Sequence, residues 1–345
     1  MRILIVYDEN HADNLFVPTL KSALSSLGLD VTCSVDEFWN SKEYYDVIHL
    51  QWPEELIGWT FQSESRLCDI QDRFDYLKEL GCKFIYTRHN SVPHYQSDIL
   101  KSAYLLFERI SDLIVHMGEY SLKEIKSIYS DKLHIVIPHH IYEGYYNDTV
   151  SRDESKNRLS IPNGNIVITA FGKFRNKKEI LMTLFSFIGI KSFKKRLLAP
   201  RMLPAGLGIL TPLVLKLLHV FGIHTSTNST LVSNEDLPYY FSAADIIFIQ
   251  RINILNSGNV PMGFMFKKIV VGPDVGNVGE LLRITGNPVF TPHSIRSVVE
   301  AIREAINLIP SKKGVQNYEY AKENMNLSVV GNMYKTAYLM LVNNE

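Results

Sequence analysis

The sequence predicts an α/β protein made of two doubly wound parallel-sheet domains that face each other across a cleft. Three observations lead there. Short apolar runs alternate with segments of helical period from Ile3 to Ile137. The alternation then restarts with a new buried run, Ile166–Phe171. The 345-residue length also suits two domains, at about 150 residues each. Strands alternating with helices require right-handed crossovers, and so a parallel sheet covered on both faces.

Each element has a local signal. Ile3–Tyr7 follows basic Arg2 and ends in polar residues, which marks a buried first strand. It is not a secretory leader, because the apolar core is short and no small-residue cleavage site follows. Leu15–Leu27 has helical spacing and closes at Gly28. Val31–Val35 and Asp46–Gln51 read as strands, and Ser65–Leu80 as a helix closed by Gly81. Lys83–Thr87 is a strand that runs into the loop Arg88–Tyr95. Ser97–Ile110 and Tyr120–Tyr129 read as helices, Leu113–His116 and His134–Ile137 as strands. His139–Val150 lacks a period and reads as a linker. Beyond the charged helix Ser151–Leu159, strands fit Ile166–Phe171, Phe193–Leu198, Ile246–Ile249, Ile269–Val271 and Pro288–Phe290. Helices fit Ile180–Ile188, Leu207–Val220, Leu237–Ala243 and Ile295–Leu308, and Val315–Val342 is mostly helical. The expected domains are 1–142 and 143–325, with 326–345 a helix crossing back to the N-terminal domain.

Composition excludes several classes. With 46% hydrophobic and 21% charged residues, the chain can bury a core and is not intrinsically disordered. Thirty-six basic residues balance 36 acidic ones, so the positive field of a nucleic-acid binder is absent. Cys33, Cys68 and Cys82 show no C-x-x-C spacing, which fits neither a disulfide scaffold nor a zinc site and agrees with a reducing compartment. No apolar run reaches the length of a membrane span. The closest, Leu207–Ile223, is broken by Pro212, Lys216 and His219. Lys191, Lys194, Lys195, Arg196 and Arg201 precede it. The segment therefore reads either as a core helix behind a solvated basic loop, or as an interfacial segment meeting anionic lipid.

Open parallel sheets bind ligands outside their C-terminal strand ends, so residues there are the candidates. FGKFRNKKE (Phe171–Glu179) ends a strand with Gly172 and then presents Lys173, Arg175, Lys177 and Lys178. Such a cluster suits an anionic ligand, and also reads as a solvated loop. Asn256-Ser257-Gly258 precedes the apolar helix Val260–Phe266, where unpaired N–H groups suit a phosphate or need only a cap. The loop after the fourth strand holds His89, Asn90 and His94, which can bond sugar hydroxyls or move a proton near neutral pH. Trp52 beside Glu54 is an aromatic–carboxylate pair of the kind that binds carbohydrate, or else a Trp at the core edge with a solvated Glu. Asp8, His11 and Asp13 lie in the first loop. His139-His140 has no partners at ligand spacing. No D-x-D, G-x-x-x-x-G-K-[ST] or G-x-G-x-x-G occurs, which leaves metal, P-loop and dinucleotide cofactors without support.

The stretch NEDLPYYFSAADIIFIQRINILNSGNVPMGFMFKKIVVGPDVGNVGELL resembles the C-terminal half of family 4 glycosyltransferases, which have the GT-B fold of two Rossmann-like domains. FGKFRNKKE is similar to that family's FGxxRxxKG. DVIHLQWPE and TRHNSVPHY resemble a bacterial branch active in polysaccharide and glycolipid synthesis. The resemblance implies a metal-independent, retaining transfer from a nucleotide-sugar such as a UDP- or GDP-sugar to a saccharide or lipid-linked acceptor. It implies an N-terminal acceptor domain and a C-terminal donor domain. It assigns the donor phosphates to Gly172, Arg175, Lys178, Asn256, Ser257 and Gly258. It places His89 and Glu54 in catalysis, and Trp52, Asn90 and His94 at the sugar or acceptor. Two glutamates common in the family are replaced by Ile254 and Met262, and the Gly after Lys178 by Glu179. A nucleotide-sugar epimerase, a phosphorylase or a non-catalytic sugar-nucleotide binder are the rival readings on this architecture. The implied location is the cytoplasm, with peripheral membrane contact through 191–223.

Overall fold

A computed structural model describes residues 1–10, 14–59, 63–93, 97–192 and 194–343. The chain divides into two compact units, Met1–His140 with Leu327–Glu345, and Ile141–Asn326. In chain order the first holds β1 (Arg2–Val6), α1 (Phe16–Ser26), β2 (Asp30–Cys33), α2 (Val35–Asn40), β3 (Val47–Leu50) and α3 (Glu54–Ile57). It continues with α4 (Glu64–Glu79), β4 (Lys83–Thr87), α5 (Asp98–Ile110), β5 (Leu113–His116), α6 (Glu119–Ile125) and β6 (Leu133–Val136). The second holds α7 (Arg152–Arg158), β7 (Ile166–Thr169), α8 (Lys177–Gly189), β8 (Lys195–Leu203), α9 (Thr211–Val220), β9 (Ile223–Thr227) and α10 (Leu237–Ala243). After these come β10 (Ile246–Phe248), α11 (Asn259–Met265), β11 (Ile269–Pro273), α12 (Gly276–Ile284), β12 (Val289–Phe290), α13 (Ile295–Leu308) and α14 (Lys313–Asn324). The last helix, α15 (Leu327–Asn343), belongs to the first unit.

The first sheet runs β2-β1-β3-β4-β5-β6 and is parallel throughout. Its central strands are buried on both faces, as covered parallel sheets require. Leu4, Ile48 and Phe84 face one core, while Ile3, Ile5, Val47 and Ile85 face the other. Against that second core α15 lays Val330, Tyr334, Ala337, Tyr338 and Leu341, one stripe of helical period. Gly331 lets α15 approach α1 closely, since a Cβ there would meet Ala23 at 3.3 Å. Lys335 Nζ then donates to the Leu27 carbonyl, capping the end of α1 at 2.9 Å.

The second sheet runs β12-β11-β10-β7-β8-β9, again all parallel. Several elements differ from the sequence expectation. The strand expected over Val31–Val35 stops at Cys33, because Ser34 caps α2 by accepting from the Glu37 N–H at 3.0 Å. The strand expected at Phe193–Leu198 begins at Lys195 and runs on to Leu203, with a bulge between Ala199 and Leu203; Phe193 lies outside the described residues. Helix α12 carries no helical signal in the sequence, because Gly276 and Gly279 interrupt it. Gly276 has φ +62°, and a Cβ there would sit 2.4 Å from the Ile254 carbonyl, so only glycine fits this turn.

Candidate functional site

In the first unit, the C-terminal ends of β3 and β4 carry a chain of hydrogen bonds that reaches back to α15. His49 is fully buried, and burial pushes its pKa down to about 3. The neutral ring donates from Nδ1 to the Tyr338 hydroxyl at 2.8 Å. Its Nε2 accepts from Thr87 Oγ1 at 2.7 Å and from the Gln51 amide at 2.9 Å. That fixes the amide, so Gln51 Oε1 accepts from His89 Nε2 at 2.7 Å. Thr87 also meets the Tyr334 hydroxyl at 3.1 Å. The tautomer and tilt of His89 are therefore set by a relay that begins on the last helix.

Trp52 stacks on His89 with ring centroids 3.9 Å apart, and Phe16 meets the same His89 edge-on at 5.0 Å. Trp52 is 7% exposed and belongs to the core shared with Phe16 and Tyr7. Its ring is thus a wall for His89, not an open platform for a sugar, because packing at the strand end has covered it. Glu54 is not the solvated residue the sequence allowed. It is 0% exposed, opens α3, and accepts from the Tyr104 hydroxyl on both oxygens, at 3.2 and 3.1 Å. Asn90 Nδ2 is buried with no hydrogen-bond partner among the described residues. Such a donor is costly unless something accepts from it. His11, Asp13 and His94 lie outside the described residues, and Asp8 Oδ1 is taken by Asn10 at 3.0 and 2.9 Å.

The second unit gathers cations where β7 turns into α8. Gly172 makes the turn at φ +103°. Asn176 caps α8 by accepting from Glu179 N–H at 2.9 Å, while Glu179 accepts from Arg175 N–H at 2.8 Å. Glu179 is buried. Burial raises its carboxyl pKa, opposed by the Arg175 N–H and by the charges of Arg251 and Arg175. Arg251, in the loop after β10, was not foreseen. Burial and nearby Arg175 push its pKa down to about 10, against the pull of Glu179. Arg175, Lys177 and Lys178 are exposed around the first turn of α8. Cations at a helix N-terminus oppose the dipole, so this turn favours an anion.

Beside this turn, Asn259 Nδ2 donates to the Phe171 carbonyl at 2.8 Å and ties α11 to the end of β7. Asn256 Oδ1 accepts from Asn277 Nδ2 at 2.8 Å, and Leu255 O from Val278 N–H at 3.2 Å. The loop Asn256-Ser257-Gly258 is thus held between two helices, with Gly258 capping α11. Met262 is buried in α11, so an apolar contact fills the place where relatives of the resembled family carry a carboxylate.

No protein-family model and no curated protein matches the chain. Solved structures do match its fold. It is similar to sucrose-phosphate synthase from Thermosynechococcus elongatus, with TM-score 0.73 and 12% identity over 100% of both chains. It is similar to a glycosyltransferase from Rickettsia africae, with TM-score 0.69 and 15% identity over 100% of this chain and 99% of that one. HepE from Anabaena, solved in complex with UDP-glucose, matches with TM-score 0.70 and 13% identity over 99% and 100%. The fold is the two Rossmann-like parallel sheets of the GT-B glycosyltransferases.

The buried histidines make stability acid-sensitive. His49, His116 and His140 are fully buried, and burial lowers all three pKa values, with His134 and Arg88 adding at His116 and His139 at His140. The unfolded chain takes up protons below about pH 6.5 while the folded one does not, so their stability contribution is present above that pH and lost below it. Each is expected to cost about 1.4 kcal/mol per pH unit through this window. Urea midpoints should fall steeply from pH 7 to about 5; a flat profile would contradict the neutral, buried assignment.

Proposed function

We propose that this protein is a metal-independent, retaining glycosyltransferase of the bacterial family 4 branch. It moves a sugar from a nucleotide-sugar such as a UDP- or GDP-sugar to a saccharide or lipid-linked acceptor. The observation that carries this is the gathering of cations at the β7–α8 turn, where Arg175 and Arg251 lie close enough to act on one another. Arg175, Lys178 and Arg251 suit a diphosphate whose negative charge grows as the sugar departs. Arg175 can form two parallel bonds to phosphate oxygens, and Gly172 lets the backbone come close. These side chains supply the charge that a divalent ion supplies elsewhere. Among the described residues no three His, Cys, Asp or Glu side chains gather to hold one. Asn256, Ser257 and Gly258 line the neighbouring helix end. HepE, whose fold is similar, binds UDP-glucose.

In the first unit we assign His89 to the transferred sugar, and Asn90 and His94 to sugar binding. Trp52 and Glu54 act as positioning residues, since both are buried. The relay through Gln51 and His49 holds the imidazole ready to bond a hydroxyl or stabilise positive charge at the departing sugar. The reaction is placed in the cytoplasm, with peripheral membrane contact through 191–223.

Thermal unfolding with UDP, GDP and ADP tests the donor assignment. One diphosphate should raise Tm by several degrees at saturating concentration, since binding at 100 times Kd adds about 2.7 kcal/mol. EDTA should leave the rise unchanged. No shift with any nucleotide, or a shift lost in chelator, would overturn the donor site.

A further inference from the structure

We infer that Arg88 is a positioning residue for His89, holding its backbone from the sheet face opposite the Gln51 relay. The inference rests on the assignment of His89 to the transferred sugar. Side chains along an extended strand alternate between faces. In β4, Phe84 and Tyr86 join the core under α4 and α5, while Ile85 and Thr87 face α1 and α15. The alternation continues past the strand, because Arg88 N–H donates to the Val115 carbonyl at 3.0 Å and stays in register with β5. His89 therefore turns toward Phe16 and Trp52, and Arg88 toward α5 and α6. Arg88 is 4% exposed. Its Nε donates to Glu108 Oε1 at 2.9 Å, and its Nη1 donates to Glu124 and to Ser121 Oγ at 3.2 Å. Acceptors on two helices fix the guanidinium and, through it, the chain at His89.

Behind Arg88 a ring of hydrogen bonds closes, and its polarity follows from one end. The Tyr129 carbonyl only accepts, so His134 carries a proton on Nε2, 2.8 Å away. With both rings neutral, His134 Nδ1 accepts from His116 Nε2 at 2.9 Å. His116 Nδ1 then accepts from the Ser121 hydroxyl at 2.9 Å, and Ser121 Oγ accepts from Arg88. The Tyr129 hydroxyl donates to Glu108, which returns the ring to Arg88. Burial, with the charges of His134 and Arg88, pushes the His116 pKa down to about 3, which keeps that ring neutral. An ion pair at this depth is often worth no more to stability than apolar side chains of its size. What the charged fork adds is direction. The imidazole of His89 is thus held twice, its ring by Gln51 and its backbone by Arg88.

Kinetics of the full chain, run well below Tm, and nitrogen NMR of its imidazoles test this together. In the wild type His89, His116 and His134 should each show one tautomer, with the proton on Nε2. Arg88→Met with Glu108→Gln removes the ion pair without stranding a charge. Its kcat should fall about tenfold or more with KM near the wild-type value, and His89 should show mixed tautomers. Arg88→Lys keeps the buried charge and loses the fork, so its kcat should fall about threefold. Nucleotide-induced thermal shifts should persist in both variants, because the donor residues lie in the other unit. Wild-type kcat in the double variant, or an unchanged His89 spectrum, would overturn the proposal. Absence of transfer by the wild type would instead overturn the assignment of His89, and the spectrum would still decide whether Arg88 holds the ring.

Discussion

Replacing Arg175 with Ala is expected to weaken binding of the nucleotide diphosphate at least about tenfold, and to slow transfer by more. The guanidinium is exposed while its backbone N–H, which caps α8 through Glu179, is untouched by the substitution. The fold should survive, and circular dichroism and Tm should match the wild type. A charge-assisted bond contributes about 1.5–3 kcal/mol, which sets the affinity loss. The rate should fall further because the diphosphate gains charge only as the bond to the sugar breaks. Arg175→Lys should rescue in part, since an ammonium keeps the charge and loses the paired geometry. The half-buried neighbour Arg251 senses Arg175 directly, so Arg251→Ala should be non-additive with it. Unchanged Kd and kcat in Arg175→Ala would move the donor away from this turn.

The second large effect is at His89. His89→Ala should lower transfer about 100-fold or more, within the range for loss of a positioned acid–base group, with little change in nucleotide affinity. Gln51→Leu leaves the imidazole but removes the acceptor that orients it. Its kcat should fall about tenfold with KM near the wild-type value, and its pH–rate profile should shift. A Gln51 variant that loses only stability would reduce the relay to a packing feature.

Much of this was legible because strand ends announce themselves. His89, Asn90, Trp52 and Glu54 follow short apolar runs, and Gly172 followed by four cations marks the other turn. Sequence could show where those residues lie along the chain but not which way they face. Trp52 and Glu54 proved buried because Phe16, Tyr7 and Tyr104 close over them. Tyr334 and Tyr338 were beyond reach, since their partners Thr87 and His49 lie far away in sequence. His49 and Gln51 did leave a trace, as polar residues inside an otherwise apolar strand. Arg251 left none, being one cation in a loop whose neighbours in space come from another strand end. For Leu207–Ile223, periodicity alone could not decide whether its outward leucines meet protein or solvent.

The central claim, that this chain transfers a sugar from a nucleotide donor, is tested most directly by product analysis. UDP- and GDP-sugars are incubated with and without a saccharide or glycolipid acceptor, and free nucleotide and sugar products are quantified. Nucleotide release that depends on acceptor, together with a new glycoside, is the predicted result, and Arg175→Ala should suppress both. Release of a free epimerised sugar without acceptor, or nucleotide binding with no turnover under any pairing, would contradict it.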